Sequence, residues 1–537
     1  MAMNTSTGED PFQDPLLADV TPQPPHHAQH AESAEHAQPP VQPSLPSGNT
    51  EERADVPATL TVGRNASLTL GTDSLIVQDA DLQASKSASL CGISLPGKTK
   101  TTRSIPFYNI LWAEHSTDGH IVIHYAHAAT KKSVRPSIID YNLDKPESTL
   151  VEAWIARLLD RAYGLAQRRK RIKVLVNPFG GPGGAMKTYD NLIAPILAAA
   201  RCELDVQKTE RQGHGVDIAQ NMDIDAFDVV ACCSGDGIPH EVWNGLGKRA
   251  DAAQALNKVA VVQMPCGSGN AASWNFNGTN SPSLAALAVV KGLRTPLDLS
   301  SVTQGDTRIL SFLSQSVGIV AEVDLATEHL RWMGDTRFTV GFLQRVMKKT
   351  VYPADIAIKV EHDNKDAIRA AYRAEASKKP SNSTDDSRVL PDANTSLPPL
   401  KYGTINDPLP AGWELIPHDH LGNFYAGNIA YMSADANFFP ASLPSDGCLD
   451  LVRIRGDLPR LTAIKTLLSI ENHTFFDLPH VDYQKISAYR IIPRDQKSGY
   501  ISIDGEKIKF EGFQVEVHKG LGTTLSKSGH LCEAKGV

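Results

Sequence analysis

Several things are scarce in this chain, and each scarcity removes a class of function. No apolar run approaches the roughly 20 residues a membrane-spanning helix needs; the longest, near residues 284–290, is far too short. Membrane contact is therefore expected to be peripheral. Cysteine is sparse and scattered: of seven, only Cys232 and Cys233 are adjacent, and no C-x-x-C or Cys/His metal spacing occurs. That excludes a disulfide scaffold or zinc site and fits a reducing, intracellular setting. There is no basic excess either. With a formal net charge of −7, the composition gives no sign of a nucleic-acid partner. The first residues lack the basic-then-apolar pattern of a secretory signal.

What is present changes texture along the 537 residues. Residues 1–57 are rich in Pro, His, Ala, Gln and acid, and too poor in apolar surface to offset their ordering entropy, so a disordered tail is expected. His26, His27, His30 and His36 belong to that low-complexity tail rather than to a metal site. Residues 58–145 read as short β-runs separated by Gly, Asn and Asp turns, a small antiparallel module. Apolar residues at helical spacing follow (Trp154, Ile155, Leu158, Leu159, Ala162), then a basic run, Arg168 to Arg171, read as a solvated element end. From 172 to 291 strand and helix patterns alternate with short links, which implies a parallel sheet with right-handed crossovers. After residue 303 the pattern is mostly period-two, an antiparallel domain, with a Ser/Asp/Asn/Pro-rich insertion at 375–400. The expected fold class is α/β plus β. A parallel-sheet lobe with flanking helices precedes a lobe that is largely an antiparallel β-sandwich, and the small β-rich module and the disordered tail come first. The boundaries fall at 165–300 for the first lobe and 301–530 for the second.

Three glycine-rich turns end the apolar runs 173–176, 227–233 and 259–264. They are Asn177-Pro178-Phe179-Gly180-Gly181-Pro182-Gly183-Gly184, Ser234-Gly235-Asp236-Gly237 and Pro265-Cys266-Gly267-Ser268-Gly269-Asn270. Glycine lets the backbone approach a ligand and aim amide N–H groups at an anion. Turns at the carboxyl ends of neighbouring parallel strands line one crevice. The first is not a Walker loop, since no Gly-Lys-Ser/Thr closes it. The middle one carries an acid, Asp236, read as an exposed carboxylate able to take a proton from an attacking hydroxyl. Against this stands helix capping, which needs no flanking glycines.

Together with Thr209-Glu210-Arg211, Glu241-Val242 and Asn244-Gly245-Leu246, these turns resemble the diacylglycerol-kinase-type catalytic domain. Residues 317–325, Arg331, Met333-Gly334, 337–341 and Asp504-Gly505-Glu506 narrow the resemblance to the sphingosine kinases, especially the fungal long-chain-base kinases. Residues 58–145 are faintly similar to the pleckstrin-like extension of some relatives. The resemblance implies an ATP- and Mg²⁺-dependent lipid kinase that phosphorylates the primary hydroxyl of sphingosine, dihydrosphingosine or phytosphingosine. It implies Asp236 as general base and Asp324 as holder of the amino-alcohol headgroup. Around the nucleotide it places Asn177, Gly180, Gly181, Thr209, Ser234, Gly235, Gly237, Gly267 and Ser268, with Arg331 and Arg337 on phosphate and Glu506 towards adenine or ribose. It identifies no metal ligands and no oligomeric state. The implied location is cytoplasmic, peripheral to intracellular or plasma membranes. A ceramide or diacylglycerol kinase, or an inactive lipid-binding regulator on the same fold, are the alternatives. Residues 312–342, Phe338 among them, are the expected lining of an alkyl-chain pocket.

Overall fold

Every residue of the strands Val229–Ser234 and Ala260–Pro265 is buried. In the computed structural model both lie inside a four-stranded parallel sheet, in the order Ala260–Pro265, Val229–Ser234, Arg171–Val176, Glu203–Lys208. Strands buried on both faces need continuous apolar runs, which is why these read so plainly in sequence. The outer strand, Glu203–Lys208, is an edge and is largely exposed.

The structure describes residues 56–80, 102–143, 148–180, 183–326, 341, 344–345, 348–379, 395–533 and 536–537. The chain divides into Met1–Pro57 and Ala58–Val537, and every element named here belongs to the second unit. The expected tail, with its histidines, lies outside the described residues apart from 56–57.

The helices His214–Asn221, Gly237–Gly247 and Ala252–Lys258 run between the parallel strands, and Ala271–Phe276 and Pro282–Lys291 follow the last of them. The helical pattern at 183–200 is not one helix. Ala185–Thr188 and Ala194–Ala199 are joined by a π-turn, Tyr189–Ile193, where Pro195, with no amide hydrogen to donate, opens the second segment.

The strands from Leu293 onward form one eleven-stranded antiparallel sheet. Leu293–Gln304 belongs to it from its first residue, pairing with Phe513–Ser526 from Leu293↔Ser526 to Thr303↔Gln514. Residues 445–451 close one side: Lys485 Nζ donates to Asp446 at 2.8 Å and to Asp450 at 2.7 Å. Residues 395–400, assigned by composition to the insertion, are seated. Leu397 packs on the core, and Pro398 O accepts from Arg308 at 2.8 Å; residues 380–394 are outside the described set.

Both sheets share a core. Val242, Trp243 and Leu246 pack with Leu297, Leu299, Phe312 and Ile429, and the Trp243 and Phe312 rings stand 6.3 Å apart. Burying each such side chain contributes about 1.5–3 kcal/mol.

The N-terminal module holds two antiparallel sheets, Thr59–Val62 to Thr102–Pro106 and Ile110–His115 to Ser133–Asn142. The helix Ser148–Tyr163 buries Trp154 and Leu158. The module is fastened to the parallel-sheet layer by polar groups. Lys291 Nζ donates to Ile110 O at 2.5 Å and Ala162 O at 2.9 Å, and Val134 N to Ser283 Oγ at 3.0 Å. The basic run is not simply solvated: Lys170 is buried and donates to Gln167 O and Val290 O. Among the described residues no helix is long and apolar enough to cross a membrane.

Candidate active site

The three glycine turns lie side by side. Cys233 pairs with Val176 and Ser234 with Pro265, so the three strands end level. Backbone bonds then stitch turn to turn: Asn177 N to Cys233 O at 3.1 Å, Cys266 N to Ser234 O and Asp236 N to Gly269 O, both at 3.2 Å. Glycine is needed here for close approach. A Cβ on Gly267 would sit 2.2 Å from Gly235 N, and one on Gly235 would sit 2.8 Å from Gly269 O.

Around these turns, Asn177 Oδ1 accepts from Phe179 N at 3.0 Å, folding the first turn, which Gly180 continues. Thr209 is buried beyond the edge strand, its amide on Val176 O at 2.9 Å. Ser234 is buried and its hydroxyl donates to Gly235 O at 2.6 Å, while Ser268 is exposed. Gly237 opens the helix Gly237–Gly247. Gly181, Arg331, Arg337 and Phe338 fall outside the described residues.

Asp236 departs from the sequence expectation. Its carboxylate is not exposed in a tight turn; the residue is half-buried, with Oδ2 accepting from Ala271 N at 2.9 Å and Oδ1 from Ala272 N at 3.0 Å. It therefore caps a helix, but that of the neighbouring turn, Ala271–Phe276, and not its own, where it makes no side-chain cap. Burial pushes its carboxyl up to about 6, while the Ala272 and Ala271 amides pull the other way. The outcome is an acid still ionised at neutral pH, yet a better base than an ordinary carboxylate.

The antiparallel sheet supplies the opposite wall through the turn between Ile501–Ile503 and Glu506–Ile508. Glu506 reaches back to the Asp236 turn, Oε1 lying 3.5 Å from where a Cβ on Gly237 would be. Asp324, half-buried on the helix Ile319–Ala326, accepts from Ser502 Oγ at 3.1 Å, and its Oδ2 lies 4.0 Å from a Cβ position on Gly505. One acidic turn thus abuts both the Asp236 turn and Asp324.

Two residues quoted in the sequence motifs without a role of their own are neighbours of the site. Asp504 is fully buried and meets His240 Nδ1 at 2.9 Å. Burial disfavours a charged imidazole, but the Asp504 carboxylate outweighs it and raises the His240 pKa. Glu241 accepts from Gly213 N and Gly215 N, each at 2.8 Å, and so holds the start of the helix His214–Asn221. Among the described residues no cluster of three His, Cys, Asp or Glu forms a metal cage. Phe312 is core rather than pocket lining, buried against Trp243.

This geometry meets the comparisons with known proteins. A diacylglycerol kinase catalytic domain model matches residues 171–302, and a domain of unknown function, DUF7493, matches 58–164. Sphingoid long chain base kinase 4 of Schizosaccharomyces pombe is 32% identical over 441 residues, covering 81% of this chain and 91% of that protein. The chain belongs to the sphingoid long-chain-base kinase family. A second member, sphingoid long chain base kinase 5 of Saccharomyces cerevisiae, is 37% identical over 442 residues; the match takes in 72% of this chain and 63% of that protein's length. Among solved structures, a putative diacylglycerol kinase from Bacillus anthracis aligns with a TM-score of 0.46 at 16% identity, over 67% of this chain and 98% of that one. In this family member Gly237, beside the raised Asp236 carboxyl, and Asp324 both border the same acidic turn.

Proposed function

We propose that the protein transfers the γ-phosphoryl group of ATP to the primary hydroxyl of a sphingoid long-chain base. The observation that carries this reading is the seating of Asp236. It is a carboxylate of raised basicity at the mouth of three level, amide-lined turns, with Asp324 across the acidic turn. The alcohol oxygen bonds to the γ-phosphorus as the bond to the β,γ-bridging oxygen breaks. The hydroxyl proton passes to Asp236, and ADP leaves. The phosphates are assigned to the crevice bordered by Asn177, Gly180, Gly181, Gly235, Gly237, Gly267 and Ser268, with Thr209 and Ser234 shaping it. Arg331 and Arg337 add cationic charge to the phosphates. Glu506 is assigned to the adenine or ribose end. Mg²⁺ would neutralise the β- and γ-oxygens. Magnesium takes one or two carboxylates beside phosphate oxygens; Asp236 is committed to the proton, Glu506 to the other end of the nucleotide, and Asp504 already accepts five hydrogen bonds, so no carboxylate described here is assigned to the metal.

Asp324 would pair with the substrate's ammonium, Ser502 fixing the orientation of its carboxylate. For the alkyl chain we assign the apolar cavity beside Ile319, at the head of the Asp324 helix, also lined by Phe438, Leu467, Ile470 and Phe475. With about 40 Å³ free it must widen to admit a long chain. On this reading residues 165–300 serve the nucleotide and 301–530 the lipid. The enzyme meets its substrate peripherally, at the cytoplasmic face of a membrane.

The test is a substrate panel with radiolabelled ATP. Label should enter sphingosine and dihydrosphingosine and not diacylglycerol or ceramide. Equal labelling of all four would remove the case for an amine-selecting site.

A further inference from the structure

His240 and Asp504 meet across 264 positions of sequence, and neither has a role in the transfer as described above. His240 sits on the helix Gly237–Gly247, one turn beyond Asp236, its backbone N–H donating to Asp236 O at 3.2 Å. A carboxylate only accepts, so Nδ1 is the donor to Asp504 Oδ2. Asn244 Nδ2 lies 3.3 Å from Nε2, but its two hydrogens serve His240 O and Leu310 O, both at 2.9 Å. The ring is therefore held through Nδ1.

Asp504 has five donors among the described residues. Four come from one stretch of its own sheet: Ser311 Oγ at 2.7 Å and the amides of Phe312, Leu313 and Ser314 at 3.0, 2.9 and 3.0 Å. His240 alone comes from the helix that carries Asp236. Asp504 also adopts a left-handed φ of 54°, which a non-glycine residue holds only where its surroundings compensate. Two residues later the same turn delivers Glu506 to Gly237.

We infer that His240 is a positioning residue for phosphoryl transfer: its hydrogen bond to Asp504 ties the Asp504–Glu506 turn to the Asp236 helix and thereby sets Glu506 at the nucleotide. The link to turnover rests on the kinase reading; the tie itself does not. Without His240 the turn keeps its own-sheet bonds but loses its hold on the opposite wall, so nucleotide binding should suffer more than chemistry.

The experiment compares His240→Ala with His240→Asn, whose side-chain amide places an N–H near the Nδ1 position. Loss of one charge-assisted hydrogen bond should raise the KM for ATP about 10-fold in His240→Ala, while kcat and the KM for sphingosine change less than about 3-fold. His240→Asn should stay within about 3-fold of wild type throughout. In the nucleotide-free protein, amides 504–507 should exchange hydrogen faster in His240→Ala than in wild type or His240→Asn. Unchanged KM and exchange in the alanine variant, or equal damage in both variants, would overturn the inference. Should wild type phosphorylate no sphingoid base, the kinase reading falls, while the exchange measurement still decides the tie. If His240→Ala does not fold, a near-normal KM in His240→Asn supports the proposal and a tenfold rise refutes it.

Discussion

On the proposed mechanism Asp236 has two jobs that conflict, helix cap and proton acceptor, and the conflict makes its chemistry measurable. Its oxygens cap the helix Ala271–Phe276, and burial still lifts the carboxyl to about 6. Turnover should therefore rise with pH through about 6 and level off above it, since only the ionised acid accepts a proton. For stability the sign is opposite. A folded-state value above the ordinary 3.8 gives a contribution present at low pH and lost as pH rises through about 6. Asp236→Asn should accordingly cut kcat by about 10²–10⁴-fold, leave ATP affinity nearly intact, and melt no lower than wild type at pH 8. Rate profiles and thermal melts check all three; substantial residual turnover would exclude Asp236 as the base. Asp324 supplies a second residue-scale test. Replacing it with alanine should reduce kcat/KM for sphingosine about 10–100-fold through loss of a charge pair with the amine. Any weak turnover of diacylglycerol, which has no cation to pair, should be untouched.

At the scale of elements, the glycine turns form a fitted pair in which neither backbone has room for a side chain. A methyl on Gly267 would lie 2.2 Å from Gly235 N, a clash with main chain that no rotamer relieves. Gly267→Ala is expected to lose ATP binding, read by titration calorimetry, even where circular dichroism still shows a folded protein; wild-type affinity would contradict the fit described here. The turns and their parent strands were legible in sequence because buried parallel strands are unbroken apolar runs ending in glycine. Other elements were hidden for physical reasons. Ala252–Lys258 and Ala271–Phe276 are short and alanine-rich, with little period to detect. Leu293–Gln304 buries Asp298, Ser300, Ser301 and Thr303, so its polar residues disguise a core strand. That the three turns end neighbouring strands was legible; the contacts their side chains make were not. Asp236 finds its amide donors 35 and 36 positions away, and no spacing rule encodes that. The expected exposure of Asp236 failed for that reason.

At the scale of the whole molecule, the N-terminal module is bound into the parallel-sheet layer through buried polar groups rather than apolar contact alone. Lys291 is buried, its pKa driven well below the usual lysine range by burial and by Lys170 and Arg168 nearby, and its ammonium is satisfied by two carbonyls and the face of Tyr163. Lys291→Met removes the cost of burying charge but strands Ile110 O and Ala162 O, so a net loss of about 1–3 kcal/mol is expected in urea unfolding. A neutral or stabilised variant would show that the lysine serves something other than this junction.

The pairing of Leu293–Gln304 with Phe513–Ser526 has a consequence for biosynthesis. A ribosome that has released residue 304 still has more than 200 codons to translate before the partner strand emerges. Throughout that interval one long flank of Leu293–Gln304 keeps its amides and carbonyls unmatched, the condition in which nascent β-structure is prone to mispair and attract chaperones. Completion of the large sheet must therefore wait for Phe513–Ser526, and truncation anywhere before residue 513 leaves Leu293–Gln304 without its mate.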